Sequence, residues 1–144
     1  MRFPVALLLL LTLPACRFLV GGRTPERPVE AVAGRTIRVA EGGAITFPGT
    51  VFSARFLSVA RDSRCPLDVQ CVWAGEALVV MGRSTPTARF APDTLTTNPR
   101  PGLRPADTLA AAPLRLRLTA LDPVPRTGGE RPRRYTATFA VGRR

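Results

Sequence analysis

The residues best equipped for chemistry lie together in one short stretch, Asp62 to Glu76, whose sequence is DSRCPLDVQCVWAGE. This stretch contains the chain's only tryptophan, two of its three cysteines and three of its ten acidic residues. Cys65 and Cys71 are separated by five residues, which differs from the CxxC spacing of a thioredoxin-like redox site. In an oxidising compartment such a pair is most simply a structural disulfide, with redox or metal chemistry as the alternative.

The first interpretation of this stretch is a rigid structural loop. Pro66 and the disulfide would stiffen the loop, and Gly75 would allow a turn that a side chain obstructs. Trp73 would then pack its large ring against the core or against the sulfur bridge. Arg64 would pair with Asp62 or Asp68 at the surface, an interaction that contributes little stability by itself.

The second interpretation is a binding loop, because a stapled loop loses little entropy when it meets a partner. An exposed Trp73 flanked by Arg64 would form a hot spot for a protein or a glycan. A third interpretation makes the acidic residues calcium ligands, but their spacing matches no EF-hand loop, and we predict neither a metal nor a cofactor. The candidate binding residues are Asp62, Arg64, Asp68, Trp73 and Glu76.

Catalysis is harder to assemble from this composition. The sequence contains no histidine and no lysine, so the commonest general base and the amine nucleophile are missing. We therefore predict a protein that is not an enzyme. A hydrolase with two carboxylates facing across a cleft is the alternative, with envelope glycans as its substrates. The acids available for such a pair are Asp62, Asp68, Glu76, Asp93, Asp107 and Asp122.

The same stretch resembles a group of small, uncharacterised bacterial secreted proteins and lipoproteins. Members of that group carry an Asp-Ser-Arg-Cys-Pro segment, a short spacer and then Cys-x-Trp-Ala-Gly. The matching residues are Asp62 to Cys65, Pro66, Val69, Cys71, Trp73, Ala74 and Gly75, and more loosely Leu121, Pro123 and Tyr135. The resemblance implies an exported protein, and it implies no particular activity.

The amino terminus predicts export followed by lipidation. Arg2 precedes an apolar run, residues 5–13, which as a helix would rise about 13 Å, well short of the ~30 Å hydrocarbon core. The run is therefore typical of a signal peptide and not of a membrane span. Residues 13–16, LPAC, resemble the bacterial lipobox, in which the cysteine sulfur receives a diacylglyceryl group. Cys16 is thus the predicted lipidation site, and plain secretion is the alternative.

A lipid on Cys16 would place the protein at the cell membrane or the outer membrane. An aspartate directly after the lipidated cysteine would resemble an inner-membrane retention signal. This chain has Arg17 at that position instead, which favours the outer membrane. The predicted partners are the membrane, through this lipid, and an envelope protein or glycan.

Charge does not indicate a nucleic-acid partner. The formal net charge is +11, and every basic residue is an arginine. The arginines are scattered apart from a modest cluster at Arg131, Arg133 and Arg134. For an exported protein, such arginines would instead contact anionic lipid or glycan phosphates.

Strand periodicity dominates after residue 35. Apolar residues alternate at Ile37 and Val39, at Leu114, Leu116 and Leu118, and at Tyr135, Ala137, Phe139 and Val141. The segment Thr50 to Ala60 has apolar residues on both faces, which predicts a central strand. One face would carry Val51, Leu57 and Val59, and the other Phe52 and Phe56. No segment has a convincing helical period.

We therefore predict an all-β fold, an antiparallel β-sandwich of about seven strands, immunoglobulin-like in general architecture. The predicted organisation is a signal peptide at residues 1–15, a lipidated cysteine and flexible tether at 16–34, and the sandwich at 35–144. A proline-rich excursion near residues 84–113 can contain only short or edge strands, because proline donates no ladder hydrogen bond.

Overall fold

The computed structural model describes residues 26–85, 87 and 91–143, which form a β-sandwich of two stacked sheets. The predicted all-β sandwich is confirmed. The predicted signal peptide, the lipidation site Cys16 and most of the predicted tether lie outside the described residues. The described part contains no helix of the length and hydrophobicity needed to cross a membrane.

Nine strands are present in the described residues, where about seven were predicted. In chain order they are β1 (Val29–Glu30), β2 (Thr36–Ala40), β3 (Ala44–Thr46), β4 (Ser53–Asp62), β5 (Ala77–Ser84), β6 (Ala91–Thr96), β7 (Thr108–Ala111), β8 (Leu114–Asp122) and β9 (Thr136–Arg143). One sheet has the order β1-β3-β4-β5-β6 and the other the order β2-β9-β8-β7. The paired strands are antiparallel except for the short parallel pair β1 and β3.

The core lies between the two sheets and is built by the alternation predicted from the sequence. The buried residues at predicted inward positions include Ile37, Val39, Leu116, Leu118, Tyr135, Ala137, Phe139 and Val141. From the facing sheet, Ile45, Phe56, Val79, Met81 and Leu95 are buried against them. Period-two patterning therefore determines which face of each of these strands is buried.

Strand β4 departs from the predicted pattern. Phe56 and Val59 are both buried, whereas Leu57 is exposed and Val51 precedes the strand. A register shift against β5 between Phe56 and Ser58 explains this, because the extra residue of a β-bulge reverses the alternation. The predicted two-sided apolar pattern is wrong, although β4 does lie inside its sheet, between β3 and β5.

The sandwich also begins earlier in the chain than residue 35. Strand β1 pairs with β3, and Ala31, which follows it, is completely buried. Residues 29–34 were predicted to belong to the tether, and they are part of the fold instead. In the proline-rich excursion, β6 and β7 lie at the edges of the two sheets, as the proline content required.

The two ends of the sandwich differ in their connections. At what we call the loop end, β4 finishes and β5 begins. There the connection 63–76 forms hydrogen bonds with both the 97–107 and the 123–135 connections. At the opposite end, the turn end, the chain passes from β3 to β4. There Phe47 packs on Phe52 with ring centroids 5.1 Å apart.

Candidate functional site

The connection between β4 and β5 begins as an extension of their hairpin. The Ser63 N–H donates to the Glu76 carbonyl at 2.8 Å, and the Cys65 N–H donates to the Ala74 carbonyl at 3.2 Å. Gly75 lies opposite Ser63 with a φ of 62°, and a Cβ there would be 1.9 Å from the Ser63 carbonyl oxygen. Only glycine fits this close approach, which confirms the predicted reason for Gly75.

Beneath the loop lies a cluster of Arg64, Asp62 and Tyr135, which we call the base. Arg64 donates to both carboxylate oxygens of Asp62, at 2.8 Å from Nε and 2.7 Å from Nη2. The Tyr135 hydroxyl donates to the same carboxylate at 3.2 Å. Arg64 also donates to the Leu121 carbonyl and, at 2.8 Å, to that of Pro123. The base therefore ties the loop to the segment that follows β8 and to the start of β9.

The base is an ion pair with a neutral phenol at ordinary pH. Burial alone raises the pKa of Asp62, but hydrogen bonds from the Arg64 side chain and backbone, its charge and the Tyr135 hydroxyl outweigh burial. The pKa of Asp62 is therefore lowered below its ordinary 3.8. Burial, and then the nearby negative charge of Asp62, raise the pKa of Tyr135 above its ordinary 10.0.

Arg64 pairs with Asp62, one of its two predicted partners, but not at the surface as predicted. Its side chain is 12% exposed and that of Asp62 is 9% exposed, so the pair is buried and not at the surface. All of its described contacts are with the carboxylate and with backbone carbonyls below the loop. Arg64 is a structural residue of the base and not an exposed neighbour of Trp73.

The other two carboxylates of the predicted set point to separate partners. Glu76 accepts hydrogen bonds from Arg61 and from the Thr96 hydroxyl, each at 2.8 Å. Asp68 accepts the Thr127 backbone N–H at 2.9 and 3.2 Å, and this hydrogen bond lowers the pKa of Asp68. The structure does not bring the three acids together. Among the described residues, no group of three or more histidine, cysteine or acidic side chains could bind a metal ion.

The outer part of the loop is stapled and exposed. Cys65 and Cys71 form the predicted disulfide, with their Cα atoms 5.9 Å apart. Next to it are four apolar side chains that we call the tip: Leu67, Val69, Val72 and Trp73. Trp73 is 83% exposed and Val72 is 90% exposed. The expectation that the indole packs on the core or the sulfur bridge is wrong, because most of its surface is exposed.

Exposed apolar side chains are concentrated at the loop end. Of the eight large hydrophobic residues that are exposed in the described part of the chain, five lie there. They are the four tip residues and Leu103, which is 60% exposed on the neighbouring 97–107 connection. Soluble monomers rarely gather such residues without an interaction that covers them.

A cleft of about 670 Å³ lies beside the base, between the end of β4 and the 123–135 connection. Its charged lining residues are Arg61, Asp62, Arg126, Glu130 and Arg131. Asp62 and Glu130 are its two carboxylates, but Asp62 is paired with a guanidinium and its pKa is lowered. A general acid near neutral pH needs the opposite shift, so Asp62 is not suited to that role.

Sequence reasoning missed three residues of this site. Tyr135 was predicted only as a core residue, and its hydrogen bond to Asp62 depends on a contact across 73 positions. Leu67 and Val72 were not singled out at all. A signal for them was present, since apolar residues in and beside a short disulfide-closed loop have little core to pack against.

No protein-family model, no curated protein and no solved structure matches the chain. The resemblance to small secreted proteins and lipoproteins noted in the sequence remains a prediction.

Proposed function

We propose that this protein is an exported, lipid-anchored component of the bacterial cell envelope, and that it acts as a non-catalytic binding module through the tip. One observation carries the proposal. Trp73 is 83% exposed on a loop that a disulfide closes and a buried ion pair fixes to the sandwich.

The exposure and the rigidity of the tip both favour binding to a partner. Leaving an indole and several aliphatic side chains in water forgoes the stabilisation of burying them, roughly 2 kcal/mol for each large side chain. A loop that is already ordered loses little conformational entropy on binding. Tryptophan is also among the residues that contribute most energy at binding surfaces. The tip therefore has the properties of a contact surface.

The anchor is supported by the sequence. The LPAC segment at residues 13–16 supplies the thiol that diacylglyceryl transfer requires, and it follows a short apolar signal. Once Cys16 is lipidated, Cys65 and Cys71 are the only cysteines left, and they are paired with each other. Two or more acyl chains give stable membrane attachment, whereas one gives only marginal attachment.

The rival hydrolase has less support. Asp62 would have to act as an acid or a nucleophile in the cleft, yet both of its oxygens accept hydrogen bonds from Arg64. Freeing the carboxylate would leave a buried guanidinium without its counter-ion. We therefore place the protein's activity at the tip and not in the cleft.

Photo-crosslinking in intact cells tests this proposal. A photoreactive amino acid replaces Trp73 in one version of the full chain and Val51 in the other. Val51 is a matched control because it is 80% exposed and lies at the turn end. We expect adducts with an envelope component from position 73 and few from position 51. Equal yields at both positions, or no adduct at 73, would refute the tip as a binding surface.

The anchor has a separate test. The intact mass of protein taken from its native membranes should correspond to a chain that begins at Cys16 and carries acyl chains. A mass without acyl chains would contradict lipidation, whatever the crosslinking result.

A further inference from the structure

The chain enters the sandwich at the loop end. Glu26, the first described residue, forms an ion pair with Arg134 at 2.8 Å, and Arg134 belongs to the 123–135 connection. Strand β1 then runs parallel to β3, which is antiparallel to β4, so it leads away from the end where β4 finishes at Asp62. The start of the described chain is therefore held to a connection of the loop end.

The distance from Cys16 to that end is limited by chain length. Ten residue steps separate Cys16 from Glu26, and a fully extended chain of that length spans at most about 35 Å. An acyl chain on Cys16 would therefore keep Glu26, and the 123–135 connection that Glu26 contacts, close to the bilayer surface. Strand β4 alone has ten residues and is about 33 Å long, so the turn end lies about that much farther from the bilayer when the loop end faces it.

The surface chemistry of the loop end matches a membrane interface. The tip and Leu103 provide exposed apolar and aromatic side chains. Around them, the 97–107 and 123–135 connections carry six exposed arginines, Arg100, Arg104, Arg126, Arg131, Arg133 and Arg134. Tryptophan prefers the headgroup level of a bilayer, and arginine side chains are attracted to anionic lipid phosphates.

We propose that the tip docks on the lipid–water interface of the membrane that anchors the protein. Trp73 and Val72 lie among the headgroups, and the surrounding arginines contact lipid phosphates. This inference rests on the proposed function and names the partner of the same surface. The lipid anchor supplies attachment, and the tip fixes the orientation of the sandwich, with the loop end toward the membrane and the turn end away from it.

The chain carries its own probe for this orientation, because Trp73 is its only tryptophan. The experiment uses the lipidated protein reconstituted in vesicles that contain phosphatidylglycerol, and compares them with vesicles whose acyl chains are brominated. We expect Trp73 emission to shift to shorter wavelength in vesicles, to be protected from iodide and to be quenched by the brominated chains. Replacing phosphatidylglycerol with a zwitterionic lipid should weaken all three effects.

A relocated probe provides the control. The Trp73→Ser, Val51→Trp double variant moves the single tryptophan to the turn end, where Val51 is 80% exposed. Its emission should remain water-like, accessible to iodide and insensitive to brominated lipid. The inference is overturned if Trp73 in vesicles is as accessible to iodide as the relocated tryptophan, or if the adducts formed at position 73 in cells contain protein or glycan and no lipid.

The failure of the anchor and the failure of the docking give different results. The intact mass of the same sample reports acyl chains on Cys16 independently of fluorescence. Absent acyl chains would refute the anchor. Acyl chains together with a water-exposed Trp73 would refute only the docking.

Discussion

The base and the tip of one loop, Asp62 to Glu76, differ sharply although they are neighbours in the sequence. In the base, the charged side chains of Arg64 and Asp62 are buried, and each has several hydrogen-bond partners. In the tip, apolar side chains such as Trp73 are exposed. Charged groups are usually found outside and apolar groups inside, so both regions reverse the common pattern. The base has the contacts of a structural element, and the tip has the exposure expected of a contact surface.

The base lies where the loop, the segment after β8 and the start of β9 meet. Burying a charge pair without good geometry is unfavourable, because desolvation can exceed the Coulombic gain. Here the bidentate contact and the carbonyls of Leu121 and Pro123 satisfy the guanidinium donors. Such a network constrains how the loop sits on the sandwich, which keeps the tip in one orientation.

The largest predicted effect comes from breaking the base. Arg64→Leu leaves the Asp62 carboxylate without its buried counter-ion, and we expect the free energy of unfolding to fall by roughly 3 kcal/mol at pH 7. Arg38→Leu is the matched control because it breaks a surface ion pair. The side chains of that pair, Arg38 and Asp122, are 67% and 49% exposed. The control should change stability by less than about 1 kcal/mol. Equal losses in urea unfolding would show that the base is no more important than a surface pair.

The disulfide should have the next largest effect. Replacing both Cys65 and Cys71 with serine opens a loop whose cysteines are six positions apart. The chain-entropy model gives a loss of roughly 2 kcal/mol. Far-UV circular dichroism should be unchanged, because the base still connects the loop to the sandwich. A loss of β-sheet signal at room temperature would mean that the disulfide, and not the base, determines the fold of this end.

A smaller, pH-dependent effect follows from the lowered pKa of Asp62. A carboxyl group whose folded pKa is depressed contributes stability above its unfolded pKa, about 4, and loses it as pH falls through the folded value. Wild type should therefore be more stable than Asp62→Asn at pH 7, and the difference should shrink as the pH falls below about 4. Urea unfolding of both proteins at several pH values measures this difference. A difference that stays constant between pH 7 and pH 2 would contradict the charged base.

The contrast between base and tip also explains how much the sequence could predict. The strands with strict alternation, such as Leu114 to Leu118, were predictable because burial of one face needs only local spacing. The inward turn of Val59 was not predictable, because it depends on a bulge formed against β5. The disulfide was predictable because it required only two nearby cysteines and an oxidising compartment. The burial of Arg64 depends on Tyr135 and on carbonyls 57 and 59 positions away, which no local pattern encodes.

Substitution of a tip residue should have the smallest effect on stability and the largest effect on binding. Trp73→Ser removes a side chain that is 83% exposed, so the free energy of unfolding should change by no more than about 0.5 kcal/mol. Val51→Ser, at an 80% exposed residue of the turn end, is the control and should be equally neutral. When the lipidated proteins are bound to vesicles, a protease should cleave the loop of Trp73→Ser faster than the loop of Val51→Ser. The reason is that the tip of Trp73→Ser would no longer hold the loop end against the lipid. If Trp73→Ser instead destabilised the protein by more than about 1 kcal/mol, the indole would be part of the fold, and the division between a structural base and a contacting tip would be wrong.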